Sequence, residues 1–179
     1  FLVAYFKEAD PLDAIWSIWF LIGNRVKGVL KTSELRQFIS ELSGIPLWLV
    51  EECNDCVGDL AETVSLLIEN SSETRSEIAL REIVERYLLS LAGMKIEQKR
   101  ERLYEAWRLL GTENLLPFHK LITGGFRMGV SSGILYKALA KVGKVEPAII
   151  AQRLSGEWHP DDSDMASIMN PSLNNSRIC

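Results

Sequence analysis

Cysteine is scarce and odd in number: the 179 residues hold only Cys53, Cys56 and Cys179. That count excludes a disulfide-stapled scaffold and suits a reducing compartment. Histidine is scarcer still, with His119 and His159 alone. Cys53-x-x-Cys56 therefore lacks the further Cys or His ligands of a zinc site, and no βαβ pattern surrounds it to support a redox pair. At i,i+3 on a helix the two thiols read as small apolar fillers, and no metal site is expected. Long apolar runs are missing too. The longest, Ala14–Ile22, contains Ser17 and falls well short of the roughly 18 residues that cross a bilayer, so no membrane association is expected. The first residues carry no basic leader, and the chain opens on Phe1 as if part-way through a helix, which reads as a piece of a longer protein. No convincing alternating strand occurs.

What is present is ordinary globular material, 47% hydrophobic and 25% charged, with five tryptophans to bury. Apolar residues recur at helical spacing throughout, which predicts an all-α fold of about ten short helices, with two pseudo-similar halves as one arrangement. Asp10-Pro11 has the form of an N-cap and first helical residue. Thr32 or Ser33 is expected to cap a helix to Leu42, with Leu35, Phe38, Ile39 and Leu42 inward. Pro46 opens another helix, and Asp59 caps the next. "ENSSETRSE" (69–77) reads as a mobile loop. Leu80, Ile83, Val84, Tyr87, Leu88 and Leu91 form a further apolar stripe. Thr112 and Ser131 are expected as later caps, with Gly143 as a helix stop. The helical domain is drawn over 1–157. From residue 158 the Asp-, Ser-, Asn- and Pro-rich composition reads as a linker or tail to 179.

Charge is unevenly spread. Net charge is −4. Residues 51–85 hold ten acids against Arg75 and Arg81, a balance of −8, whereas residues 112–153 hold six Lys/Arg against two acids, a balance of +4. A local basic region can bind phosphates although the whole chain is acidic.

The stretch "LITGGFRMGVSS" (121–132) concentrates glycine and one arginine between two helices. Helix starts expose unpaired N–H groups and favour anions. Gly129 leaves a phosphate unobstructed, Ser131 and Ser132 offer hydroxyls, and Arg127 stands at the mouth with Lys120 near in sequence. An ordinary helix–turn–helix corner accounts for the same residues equally well. No Walker lysine follows and no strand precedes, so a nucleotide site is not indicated. A nucleic-acid backbone is the more natural anion. A second basic turn, "GNRVKGVLKTSE" (23–34), brings Arg25, Lys27 and Lys31 before a helix start. Gly58, in "VGDLAET", permits a tight turn and a close backbone approach. His119, isolated on a helix, reads as structural or surface rather than catalytic.

The string "LLPFHKLITGGFRMGVSSGILYKALAKV" (115–142) resembles the N-terminal DNA-binding domain of ATP-dependent DNA ligases of bacterial type. "AIWSIWFLIGNR" (14–25), "LSGIPLWLVEECNDCVGDLAETVSLL" (42–67) and "AQRLSGEWHP" (151–160) resemble the same family, so the likeness spans most of residues 1–160. The resemblance implies an all-helical, monomeric domain that grips nicked duplex DNA, in the cytoplasm at the nucleoid. The parent enzyme would seal 5′-phosphate/3′-hydroxyl nicks in repair, replication or recombination, using ATP and Mg²⁺. By the motif, Gly125, Arg127, Gly129, Val130 and Ser131 would contact the phosphate backbone. Arg25, Lys27, Lys31 and Gly58 are looser candidates. The family's adenylated lysine lies in K-x-D-G, and no lysine of this chain is followed by x-D-G. The segment is therefore expected to be non-catalytic and to hold no cofactor, with the adenylation and OB-fold domains of the parent as partners. The rival expectation is a helical protein–protein adaptor that docks through the acidic 51–85 face and has no affinity for DNA.

Overall fold

The computed structural model describes residues 1–68, 78–126, 129–160 and 165–170, and these contain helices and no strand. The all-α expectation holds. The predicted loop 69–77 lies outside the described residues, as does Arg127. The chain divides into two compact units, residues 1–24 with 127–179, and residues 25–126. They are not sequential halves, because the first draws on both ends of the chain.

The first unit contains α1 (Leu2–Glu8), α2 (Pro11–Leu21), α9 (Ser132–Gly143), α10 (Pro147–Arg153) and α11 (Met165–Met169). Asp10 caps α2 as its sequence suggests, its carboxylate accepting from the Leu12 amide at 2.9 Å. Ala14, Ile15, Trp16, Ile18, Trp19 and Phe20 are all buried. A helix apolar on nearly every side has no stable alternative to burial. The Trp16 and Trp19 rings meet edge-to-face at 5.5 Å, and each also packs against the His159 ring.

Part of the stretch from residue 158 packs within the first unit. Trp158 is buried, and its carbonyl accepts from Trp19 Nε1 at 3.2 Å. Met165 and Ile168 are buried in α11, and the buried Arg153 donates from Nη1 to the Ile168 carbonyl at 2.8 Å. The polar composition of this stretch hides three apolar anchors, and burial of those anchors outweighs the average. The helix end expected near Val142 falls at Gly143, which has a packing role of its own. α9 runs through Gly143, and Lys144 takes the left-handed conformation at φ 54°. A Cβ on Gly143 would lie 2.7 Å from the Met169 carbonyl oxygen, so the glycine serves close helix–helix approach and not the cap.

The second unit contains α3 (Thr32–Ser43), α4 (Leu47–Val57), α5 (Leu60–Leu67), α6 (Leu80–Ile83), α7 (Ile96–Leu109) and α8 (Thr112–Thr123). α6 continues through a π-helical stretch, Val84–Leu89, and a 3₁₀ turn, Ser90–Gly93. The predicted stripe survives this change of pitch, since Val84, Tyr87, Leu88 and Leu91 are all buried. Leu35, Phe38 and Ile39 are buried as expected, but Leu42 is 40% exposed. Thr32 and Thr112 are first helical residues, not caps. At α3 the Glu34 carboxylate accepts from the Lys31 amide at 2.8 Å, which makes Lys31 the capped position. Cys56 is exposed and Cys53 only half-buried, so the two thiols do not fill a core.

His119 is fully buried in α8 and joins three helices. Trp107 Nε1 of α7 donates to His119 Nε2 at 2.7 Å. An indole N–H can only donate, so Nε2 is the bare nitrogen and Nδ1 carries the proton. Nδ1 then donates to Ser65 Oγ of α5 at 2.7 Å, and that hydroxyl donates to the Ala61 carbonyl. Every hydrogen has an acceptor. Burial pushes the imidazole pKa down to about 3. Between an ordinary value of about 6.5 and that depressed one, the unfolded chain binds the extra proton, so stability is intact above pH 6.5 and falls as pH falls.

Thermal or urea unfolding at pH 7 and pH 5 should show a loss of about 2 kcal/mol on acidification, at about 1.4 kcal/mol per pH unit below 6.5. His119→Gln should be less stable at pH 7 and should lose most of that slope. In the first unit, Gly143→Ala should cost about 1–3 kcal/mol by overpacking, and limited proteolysis should then cut sooner within 165–170.

Candidate nucleic-acid interface

The second unit brings together three turns that are distant in sequence. The first runs from Arg25 to Lys31. Gly28 sits within it at φ 73°, and Val29 plugs the core at 2% exposure. Lys99 of α7 reaches across and donates from Nζ to the carbonyls of Val29 at 2.8 Å and Gly28 at 3.2 Å. A cation on two carbonyls fixes the turn and leaves Arg25, Lys27 and Lys31 exposed around it. They border an open cavity of about 360 Å³ that also touches Lys99 and Thr123, with Glu34 as its one acid. With Arg25, Lys27, Lys31 and Lys99 against that one carboxylate, the local field is positive.

The second turn is the glycine pair ending α8. Gly124 is left-handed at φ 72°, and the Arg25 side chain fills the space above it, with Cδ 2.8 Å from where a Cβ would stand. Gly125 lies under the Lys120 and Thr123 side chains. The third turn is Gly58-Asp59. Gly58 is exposed at φ 78° with nothing near its missing Cβ. Asp59 caps α5 through Oδ1, which accepts from the Glu62 amide at 3.0 Å. Its Oδ2 accepts from Lys120 Nζ. The Lys120 hydrogen bond, then the Glu62 amide, hold the Asp59 carboxyl below the usual carboxylate range. Lys120 is thus paired within the protein, unlike Arg25, Lys27 and Lys31, for which no carboxylate partner stands among the described residues.

Gly129, Val130, Ser131 and Ser132 belong to the first unit. Gly129 is exposed and left-handed at φ 65°, with open space around it. Ser131 caps α9, its Oγ accepting from the Ile134 amide at 3.3 Å. The Ser132 and Gly133 amides precede the first intrahelical bonds, and both residues are exposed. Gly133 adds a second side-chain-free position at this helix start, which the sequence reading passed over. It also passed over Lys99, whose carbonyl partners lie about seventy positions away and leave no local signal.

The second unit thus carries a basic, glycine-lined set of turns on an all-helical frame. The family model described as DNA ligase N terminus matches residues 1–140. The chain belongs to this family, the N-terminal domains of ATP-dependent DNA ligases. No curated protein matches it. Among the described residues no helix is long and apolar enough to cross a membrane.

Gly124→Ala should cost about 1 kcal/mol from its left-handed backbone and more from displacing Arg25. Gly129→Ala, equally left-handed but in open space, should cost the backbone part alone. Urea unfolding of the two variants checks the difference.

Proposed function

We propose that this domain holds nicked duplex DNA through its phosphate backbone, so that the rest of a ligase can seal the break. The observation that carries the reading is the Arg25–Lys31 turn: three exposed cations without carboxylate partners among the described residues, on a turn held by Lys99 and adjoining the Gly124-Gly125 turn. The helix start at Gly129–Gly133, where the Ser132 and Gly133 amides precede the first intrahelical bonds, supplies anion-binding groups of the same kind. Arg127 is assigned to the same backbone on the family resemblance. Gly58 and Gly125 provide approach rather than charge. Lys120 acts on this reading by fixing Asp59 and the start of α5.

Nothing in such a constellation reads bases, so binding is sequence-independent and dominated by counterion release. The chain contains no K-x-D-G lysine. We therefore place the lysyl adenylate, ATP and Mg²⁺ on the adenylation and OB-fold domains of the parent enzyme, and its work in bacterial DNA repair, replication or recombination. A monomeric domain suffices.

Fluorescence anisotropy with a nicked duplex should show binding at low salt and a steep linear fall of log K with log salt. Arg25→Ala, Lys27→Ala and Arg127→Ala should each weaken binding alike across sequences and reduce the slope by about one. Absence of binding at low salt, or binding insensitive to salt, would refute the proposal. Lys120→Ala should instead lower stability and leave the slope nearly unchanged.

A further inference from the structure

α4 is a poorly buried helix for its composition. Of its eleven residues only Val50 is buried. Trp48 is 64% exposed, flanked by the exposed Leu47 and Leu49. Leu42, at the end of the neighbouring α3, is exposed as well. At 100° per residue, Glu51 and Glu52 lie one turn beyond Trp48, and Asp55 two turns beyond, on the side away from Val50. The result is an outward indole bordered by carboxylates.

The charge around it is one-sided. From Glu41 to Glu62 the chain has six acids and no Lys or Arg. Glu41 pairs with Arg100, and Asp59 with Lys120. Glu51, Glu52 and Asp55 have no ion-pair partner among the described residues. Such a field repels phosphate, so the face is not an extension of the DNA surface. None of its residues borders the basic cavity.

We propose that the Trp48 face of α4 docks a cationic amphipathic segment of a protein partner. Apolar side chains of the segment rest on Leu47, Trp48 and Leu49, while its Lys or Arg side chains meet Glu51, Glu52 and Asp55. Charge complementarity selects this occupant. Tryptophan is among the residue types enriched at interface hot spots. Its ring face also attracts ammonium and guanidinium groups. The carboxylates steer a basic segment and reject an acidic one. The proposal does not rest on the DNA-holding role.

The test uses the whole 179-residue chain and two labelled helical peptides of one amphipathic pattern, built from Leu and Lys or from Leu and Glu. The Leu/Lys peptide should bind, and the Leu/Glu peptide should not. Trp48→Ala should weaken Leu/Lys binding by about tenfold or more, and Glu51→Gln with Glu52→Gln should weaken it and flatten its salt dependence. Circular dichroism verifies folding, which an exposed side chain does not govern. Nicked-duplex affinity should be unchanged by Trp48→Ala. Equal Leu/Lys binding by wild type and Trp48→Ala would overturn the proposal, as would equal binding of the two peptides. Dimerisation abolished by Trp48→Ala would give the face to a second copy of the chain, and loss of nicked-DNA binding in that variant would give it to DNA. Failure of the wild type to bind nicked DNA bears on the DNA-holding role alone.

Discussion

The second unit depends on a buried histidine that must stay neutral. His119 accepts from Trp107 and donates to Ser65, which ties α8 to α7 and α5 with directional bonds that apolar packing cannot supply. An unpaired polar atom at that depth costs more than the bond gains, so the three groups specify one another. The next residue along α8 is Lys120, and α5 begins at the cap formed by Asp59. Fixing His119 against Ser65 therefore sets α8 beside α5 in the register at which Lys120 meets Asp59. Five residues beyond His119 the helix ends at Gly124, where Arg25 packs. The basic turns inherit their positions from a core hydrogen-bond chain.

The two lysines near these turns divide the labour in an instructive way. Lys99 and Lys120 both direct their charge inward, one to carbonyls of the first turn and one to a helix cap. Arg25, Lys27 and Lys31 direct theirs outward. Flexible cations cost conformational entropy when a ligand orders them. A turn braced by Lys99 has already lost its backbone freedom, so a phosphate arriving there orders only side chains. Sequence proximity to a glycine motif, the ground on which Lys120 was singled out, does not distinguish a bracing lysine from a binding one. Only the partner of the ammonium does.

Local chemistry was legible in the sequence wherever the physical cause lay within a turn or two. Asp10, Asp59 and Ser131 cap the helices their positions suggested, because a cap bonds two or three residues ahead. The stripes of α3 and α6–π followed from periodicity. What stayed hidden was set by distant neighbours. Gly143 looked like a stop, but the Met169 carbonyl determines its use. The stretch from residue 158 is polar on average, yet Trp158, Met165 and Ile168 within it are buried. His119 had no visible partner, since Ser65 is 54 positions away. Of the site, the residue types and turns were readable. The approach of Arg25 to Gly124, 99 positions later, was not.

A DNA-holding domain with a net negative charge is a consistent design on the proposed reading. Screening limits surface fields to about 8–10 Å at physiological ionic strength, so a phosphate over the Arg25–Lys31 turn responds to that turn and little to acids beyond it. A domain positive on all sides would bind duplex in many orientations, each competing with the one in which a nick is presented. Glu51, Glu52 and Asp55 on α4 disfavour those alternatives within the same unit that carries the cations. The same acids, without counter-cations among the described residues, leave α4 free on this reading to engage a partner of opposite charge while DNA is held. Orientation on DNA and attraction of a basic partner then arise from one uneven distribution of charge.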